Sequence, residues 1–330
     1  FVQLLGSQND MATIRLRLNY MDRIEEVMPL LNEEWNNILP YFETIKTRGT
    51  NIRMLYNQYI ENIALIDYAI LNFYDLNYMF RQTRNILNKK TQYRKVKYPP
   101  IFMVCAAPSS GKATLMEIVG DLGEVNGNIR ITHKYAKRAP RERTDGRDGM
   151  IAIGKEGSFS DYIEDKDNIW EWKFHKNQDK LEGTRYAVDR EEIEKNIAEG
   201  VAQIFISNMS QIDIARKYYP ENMVILYLHA THETETKNHI IEKCKLDMIS
   251  KIIVEVGCNE NEALELLNEK HTLQKQLNED IANRLVEIKQ VHDAFLDYNH
   301  QIDHVLLNTG TREDLVAQMN NLINYYAMGS

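Results

Sequence analysis

Ile101–Met116 reads IFMVCAAPSSGKATLM, and the rest of the chain is best understood outward from it. The four apolar residues Ile101-Phe102-Met103-Val104 have the length and content of a strand buried on both faces. A loop of small residues follows, Ala106-Ala107-Pro108-Ser109-Ser110-Gly111, then Lys112, Ala113 and Thr114, and an apolar helix start at Leu115-Met116. Strand, small loop, Gly-Lys and helix make a phosphate-binding loop. Its backbone N–H groups converge on an anion, the helix adds the positive end of its dipole, and the lysine supplies a point charge. Ser109, Ser110, Gly111, Lys112 and Thr114 are therefore the candidate binders of a nucleotide's phosphates. The match to G-x-x-x-x-G-K-[ST] is incomplete, because Ala106 stands at the first glycine and Ala113 at the hydroxyl position that normally holds Mg²⁺. Thr114, one place later, is the candidate replacement for that metal contact. The bland alternative is an ordinary strand-to-helix turn with a solvated lysine.

With 330 residues the chain has room for two domains and a sizeable core. A hydrophobic content of 43% with 27% charged residues is that of a globular protein in water. The formal net charge of −8 argues against a general nucleic-acid binder. Cys105, Cys244 and Cys258 have neither metal-ligand nor disulfide spacing, which fits a reducing cytoplasm. No apolar run reaches membrane-span length. Phe1–Asp10 precede Met11 and read as expression remnants, as does Gly329-Ser330, so both are set aside.

Residues 12–97 read as a helical domain, hairpin-like or coiled-coil-like. Apolar positions step by three and four through Leu18, Met21, Ile24, Val27, Met28, Leu31, Trp35, Ile38 and Leu39, with Pro29 and Pro40 as breaks. A second run from Ile52 through Ile63, Ile70 and Tyr78 meets no Gly or Pro before Pro99. It is long enough for one helix of about 40 residues, roughly 60 Å. Such a helix buries its stripe on a neighbouring helix, on a second copy of the chain, or on the downstream domain. A homodimer or a protein partner through residues 12–97 is the resulting expectation. The tyrosines and phenylalanines of the stripe read as packing rather than as a ligand surface.

Downstream of the loop, a basic island breaks the acidic background: Arg130, Lys134, Lys137, Arg138, Arg141, Arg143 and Arg147. Its centre, Lys137-Arg138-Ala139-Pro140-Arg141, offers planar guanidinium forks suited to a phosphate. His229 and His232, three apart after a strand, lack a third ligand and are read as structural.

From this point the order of motifs resembles the guanylate kinase family. That family has a phosphate loop, a T-T-R-x-P-R segment and a nearby Asp-Gly; here stand Arg138-Ala139-Pro140-Arg141 and Asp145-Gly146. Its F-x-x-M-I and F-x-E-W blocks are matched by Phe159–Ile163 and by Ile169-Trp170-Glu171-Trp172. Its Y-G-T/S block is matched by Glu182-Gly183-Thr184, its lid K-R-L by Asn283-Arg284-Leu285, and its Y-D-x-V-I-V-N strand by Tyr298–Asn308. The resemblance covers about 100–326. It implies a P-loop three-layer αβα fold with a central, mostly parallel sheet over 98–330. A helical insertion at about 234–280 would be an elaborated lid, and the all-α region would precede the whole.

The resemblance also implies roles. ATP with Mg²⁺ would be held by Lys112, the loop amides and Thr114, with Asn308 beside the donor adenine. Arg138 and Arg141 would grip the acceptor monophosphate. Glu171 would accept from the N1–H and N2–H₂ edge of guanine, which makes GMP or dGMP the default acceptor, and Thr184 would add a hydrogen bond. Arg284 would neutralise charge on the transferring phosphoryl group. The chain departs from the family at Gly149 and Glu182, where the family has tyrosines, and at Asn208, where the family's strand ends on an acid. Two readings follow: an ATP-dependent nucleoside monophosphate kinase, or a catalytically weakened module that binds a protein partner.

Overall fold

The structure is a computed structural model that describes residues 2–5, 15–16, 57–66, 68–71, 76–88, 96–138, 149–174, 184–230, 233–308 and 311–328. Arg141, Pro140, the Asp145-Gly146 pair, Glu182-Gly183 and residues 17–56 lie outside them. The chain begins with β1 (Val2–Leu5) and β2 (Arg15–Leu16). A helical segment at 57–61 and a 3-10 turn, Ile63–Leu65, lead to β3 (Tyr68–Leu71) and α1 (Leu76–Asn88). Then come β4 (Ile101–Ala106), α2 (Lys112–Asn126), β5 (Ile129–Ile131), β6 (Lys134–Ala136) and β7 (Met150–Ala152). Next are β8 (Ile169–Phe174), β9 (Thr184–Asp189), α3 (Arg190–Ala198), β10 (Ala202–Ile206) and α4 (Ile212–Tyr218). The chain closes with β11 (Met223–Ala230), α5 (Glu233–Val256), α6 (Glu260–Glu269), α7 (His271–Tyr298), β12 (His304–Asn308) and α8 (Arg312–Met328).

The central sheet is parallel throughout, in the order β12-β11-β4-β10-β5. Its three middle strands are the apolar runs of the sequence, and β4 and β10 are buried along nearly their whole length. Burial on both faces is what a parallel strand between helices requires. The one polar intruder in β10, Gln203, is hydrogen-bonded through both its amide nitrogen and its carbonyl oxygen. Its amide donates to Ile193 O at 3.0 Å and its carbonyl accepts from Thr132 Oγ1 at 2.9 Å and Asn196 Nδ2 at 3.2 Å. β4 leads toward β5 at one edge and its neighbour β11 toward β12 at the other, so the connections leaving these two carboxyl ends diverge. A crevice opens there, where α/β sheets bind ligands.

A second, four-stranded sheet in the order β7-β6-β9-β8 stands over that end. Only β6 and β7 run parallel in it. Trp170 fastens it to the main body: the indole packs edge-on against Phe205 at 5.6 Å and donates to Gln211 Oε1 at 3.1 Å. Its other face holds a small core of Ile153, Phe159, Ile163 and Ala187.

The region expected to be all-α contains strand. Tyr68–Leu71, inside the supposed long helix, pairs in parallel with Val2–Leu5, and β2 completes a three-stranded sheet. The segment Phe1–Asp10 thus contributes a strand instead of standing outside the fold. A run such as Tyr-Ala-Ile-Leu suits a strand as well as a helix, and the long-range pairing settles it. The stripe residues Tyr59, Ile63 and Ile66 join the core of the central sheet, together with Ala69 and Leu71 of β3. Gln82 bridges both backbone groups of Leu71 within the region, and Tyr59 Oη donates to Val305 O, so these stripe residues are buried on the downstream domain.

The stretch 234–280 is helical, as expected, but the helical unit continues to Tyr298. α5, α6 and the first half of α7 bury a core of their own around Met248, Ile249, Ile252, Ala263 and Leu267. α6 starts on a reciprocal capping box between Asn259 and Glu262. At its other end α7 is anchored by Phe295, whose ring meets Tyr227 of β11 at 4.5 Å. Among the described residues no helix is long and apolar enough to cross a membrane.

Candidate phosphate-binding cleft

Between β4 and α2 the backbone takes two left-handed steps, at Ser109 (φ 59°) and Gly111 (φ 97°). Ala107 O closes the turn, accepting from Ser110 Oγ at 2.8 Å and Ser110 N at 3.4 Å. Only glycine suits position 111. Its φ lies in the left-handed region, and a Cβ there would sit 2.3 Å from Asn308 Nδ2. That amide comes from the end of β12 and donates to Ser110 O at 2.9 Å, pinning the loop to the neighbouring strand end. Lys112 begins the helix and folds back over the loop, its Nζ donating to Ala107 O at 2.6 Å and Ala106 O at 3.2 Å. Burial, together with the like charges of Lys134, Lys243 and Arg284, pulls its pKa from the ordinary 10.5 down to about 7.

The loop forms the floor of a cleft of about 750 Å³. One wall comes from the small sheet: Lys134, Arg138, Met150, Trp172, Lys173 and Tyr186. Lys134 is buried; its Nζ donates to Ile206 O at 3.0 Å and stands 5.2 Å from the Tyr186 ring centroid. The opposite wall is helical. α5 contributes His239, Ile240, Lys243 and Cys244, and α7 contributes Arg284, Glu287, Val291, Ala294 and Tyr298. Steps of three and four along α7 put those five on one face. Arg284 Nη1 donates to the buried Glu287 carboxylate at 3.1 Å. The end of β10 adds Ser207, Asn208, Met209 and Ser210; Ser207 Oγ is buried with no hydrogen-bond partner.

Most of the residues expected at the site therefore meet. Ser109, Gly111, Lys112, Thr114, Arg138, Arg284 and Asn308 all line one cleft, and Ser110 lies buried within the loop. Arg141 is outside the described residues. Glu171 and Thr184 do not line the cleft. Glu171 pairs across the small sheet with Ala187, and residues directly opposite in an antiparallel pair share a face. Ala187 belongs to the small core on the far side, so Glu171 points there too, where it accepts from Arg185 Nε. The residues facing the cleft are its neighbour Trp172 and the opposing Tyr186, stacked with ring centroids 6.0 Å apart. Thr184 lies at the outer end of β9, paired with Phe174. Strand alternation was available in the sequence, but which face meets the cleft was not.

Sequence reasoning did not assign Lys173, Lys243, His239 or Glu287 to the site. The helical ones had a readable signal: His239 and Lys243, and Arg284, Glu287 and Val291, are spaced as single helix faces. What was missing is that both faces turn inward over the loop.

The cleft fits phosphate well. Five cationic side chains, Lys112, Lys134, Arg138, Lys243 and Arg284, line it, and among the described lining residues there is a single carboxylate, Glu287, which is tied to Arg284. In a chain of net charge −8 such a concentration focuses anions at this point. It fits Mg²⁺ poorly. Among the described residues no group of three or more His, Cys, Asp or Glu is placed to hold a metal. The serine and threonine hydroxyls among the described lining residues are Ser109, Thr114, exposed on the first turn of α2, Ser207, and Ser210, which donates to Asn208 Oδ1.

Comparison with family models finds no match, and comparison with curated proteins finds none either. Among solved structures the chain is similar to a guanylate kinase from Anaplasma phagocytophilum at 13% identity, over 69% of this chain and 87% of that one, with a TM-score of 0.38. A superposition that loose does not bear on function.

Proposed function

We propose that the chain is a nucleotide-dependent phosphotransferase that takes the terminal phosphoryl group of ATP and passes it to a nucleoside monophosphate. The observation that carries this reading is the convergence of Lys112, at the head of a glycine-turned loop, with cations from two opposing walls over the carboxyl end of the central sheet. Phosphoryl transfer asks a protein mainly to align two phosphates and neutralise their charge. The loop amides and Lys112 would hold the donor phosphates. Arg138 and Lys134, on the small-sheet wall, would take the acceptor phosphate. Arg284, held by Glu287 on α7, would stand over the group in transit. Mg²⁺ would contribute charge neutralisation, but the donor set offers it little, and none of these roles depends on it.

The acceptor base is left open. GMP or dGMP rested on Glu171, and that carboxylate faces away from the cleft. The surface available to a base is aromatic, Trp172 and Tyr186, which stacks any base without reading its edge.

The test is release of ADP from ATP and Mg²⁺ with each common nucleoside and deoxynucleoside monophosphate in turn. Turnover with more than one base is expected. Turnover restricted to GMP and dGMP would reinstate a guanine-reading carboxylate. No turnover with any acceptor, in folded protein that still binds ATP, would favour the second reading: a phosphate-binding module that does no chemistry. That reading has one observation of its own: among the described residues the one carboxylate on the cleft wall is bonded to Arg284.

A further inference from the structure

We propose that this cleft binds the polyphosphate of a nucleotide without a divalent cation, its charge being met by protein side chains. The inference rests on the nucleotide reading above and concerns how that site neutralises its ligand. Three positions speak against a metal. Ala113 stands where a metal-binding hydroxyl would follow the lysine. Asn208, at the end of β10, brings an amide whose Oδ1 already accepts from Ser210 Oγ at 2.5 Å. Glu287 is the one carboxylate among the described lining residues; it is 5% exposed and bonded to Arg284. Mg²⁺ binds proteins through one or two carboxylates in addition to phosphate and water. Here that carboxylate is committed.

In place of the metal the walls carry charge. Lys243 reaches in from α5, Arg284 from α7, and Lys134 from the small sheet, facing Lys112 on the floor. These groups come from four separate elements, so they surround a ligand instead of forming a stripe on one face. Their mutual repulsion is already felt in the free protein: Lys134, Lys243 and Arg284 all act on the Lys112 ammonium. A polyanion relieves that repulsion, whereas a metal-loaded nucleotide, with part of its charge already cancelled, relieves less of it. Ser207 Oγ, buried and unpartnered at the same strand end, is a hydrogen-bond donor for a phosphate oxygen.

Titration calorimetry of the full chain with ATP decides it, once in EDTA and once with Mg²⁺ in excess over the nucleotide. The expected result is a Kd in EDTA equal to or tighter than the Kd with Mg²⁺, and a marked loss of affinity as salt is raised. Lys243→Met should weaken binding in EDTA by about tenfold, and by less with Mg²⁺ present, since the metal then replaces part of the missing charge. A merely structural role for Lys243 would lower both affinities equally. A Kd that rises more than about tenfold on chelation overturns the inference and leaves the nucleotide reading standing. No binding in either buffer removes both.

Discussion

Lys112→Ala lowers ATP-dependent turnover by about 10²–10³-fold, the usual cost of removing one preorganised group that meets developing charge. It should do so without loss of fold. Lys112 is held near pH 7 by burial and three like charges, so in the free protein it is a strained group. The sign follows from linkage. The unfolded chain holds this lysine protonated up to its ordinary value, so between about 7 and 10.5 the unfolded state binds more protons than the folded one. The free protein therefore gains stability as pH rises through that window and carries the full penalty below it. Lys112→Ala removes the slope, and its melting temperature at neutral pH should equal or exceed that of the parent. Nucleotide binding runs the other way: phosphate favours the charged ammonium, binding takes up a proton, and ATP affinity falls as pH rises above about 7. Calorimetry in buffers of different ionisation enthalpy would read that proton directly. Unchanged turnover in Lys112→Ala would remove the loop from the mechanism. A melting temperature several degrees lower would mean that Lys112 supports the loop carbonyls of Ala106 and Ala107 more than it strains the fold.

Gly111→Ala should damage the site by geometry alone. The residue must take φ 97°, which costs a side-chain-bearing residue about 1–2 kcal/mol. Its new Cβ would also lie 2.3 Å from Asn308 Nδ2. Asn308 cannot simply swing away, because its amide holds Ser110 O. The loop or the β12 end has to shift, and ATP affinity is expected to fall at least about tenfold, a loss of about 1.4 kcal/mol. Melting should drop by about 2–4 °C for each kcal/mol lost. The Asn308→Ala background separates the two causes. There the steric part of the Gly111→Ala cost disappears while the backbone part remains, so the second substitution should cost less than it does alone. Equal cost in both backgrounds would show that the Asn308 contact is irrelevant. Full ATP affinity in the single variant would show that the loop does not need its present shape.

The first central strand was legible because burial on two faces explains the run Ile101–Val104, and it is strand in the structure. The phosphate loop was legible because its chemistry is contiguous: turn, lysine and helix start are fixed by neighbours along the chain. The N-terminal region was misread where the pattern was weakest. Tyr68–Leu71 has no periodicity of its own, and its pairing partner is Val2–Leu5, more than sixty residues away.

Local order along the chain was enough to place the floor of the cleft and to mark the stretch 234–280 as helical. It could not place the walls. Glu171 and Trp172 are adjacent, and which of them meets the ligand depends on the side of the small sheet that docks on the central sheet, a choice made by Trp170 against Phe205. Lys243 and Arg284 are about forty positions apart on different helices, and they share the cleft because α5 and α7 fold back around a core of their own. Chemistry carried by neighbouring residues is written in the order of the chain. Chemistry assembled across elements depends on packing, where a half-turn of a helix or the choice of sheet face moves a charge from solvent to ligand.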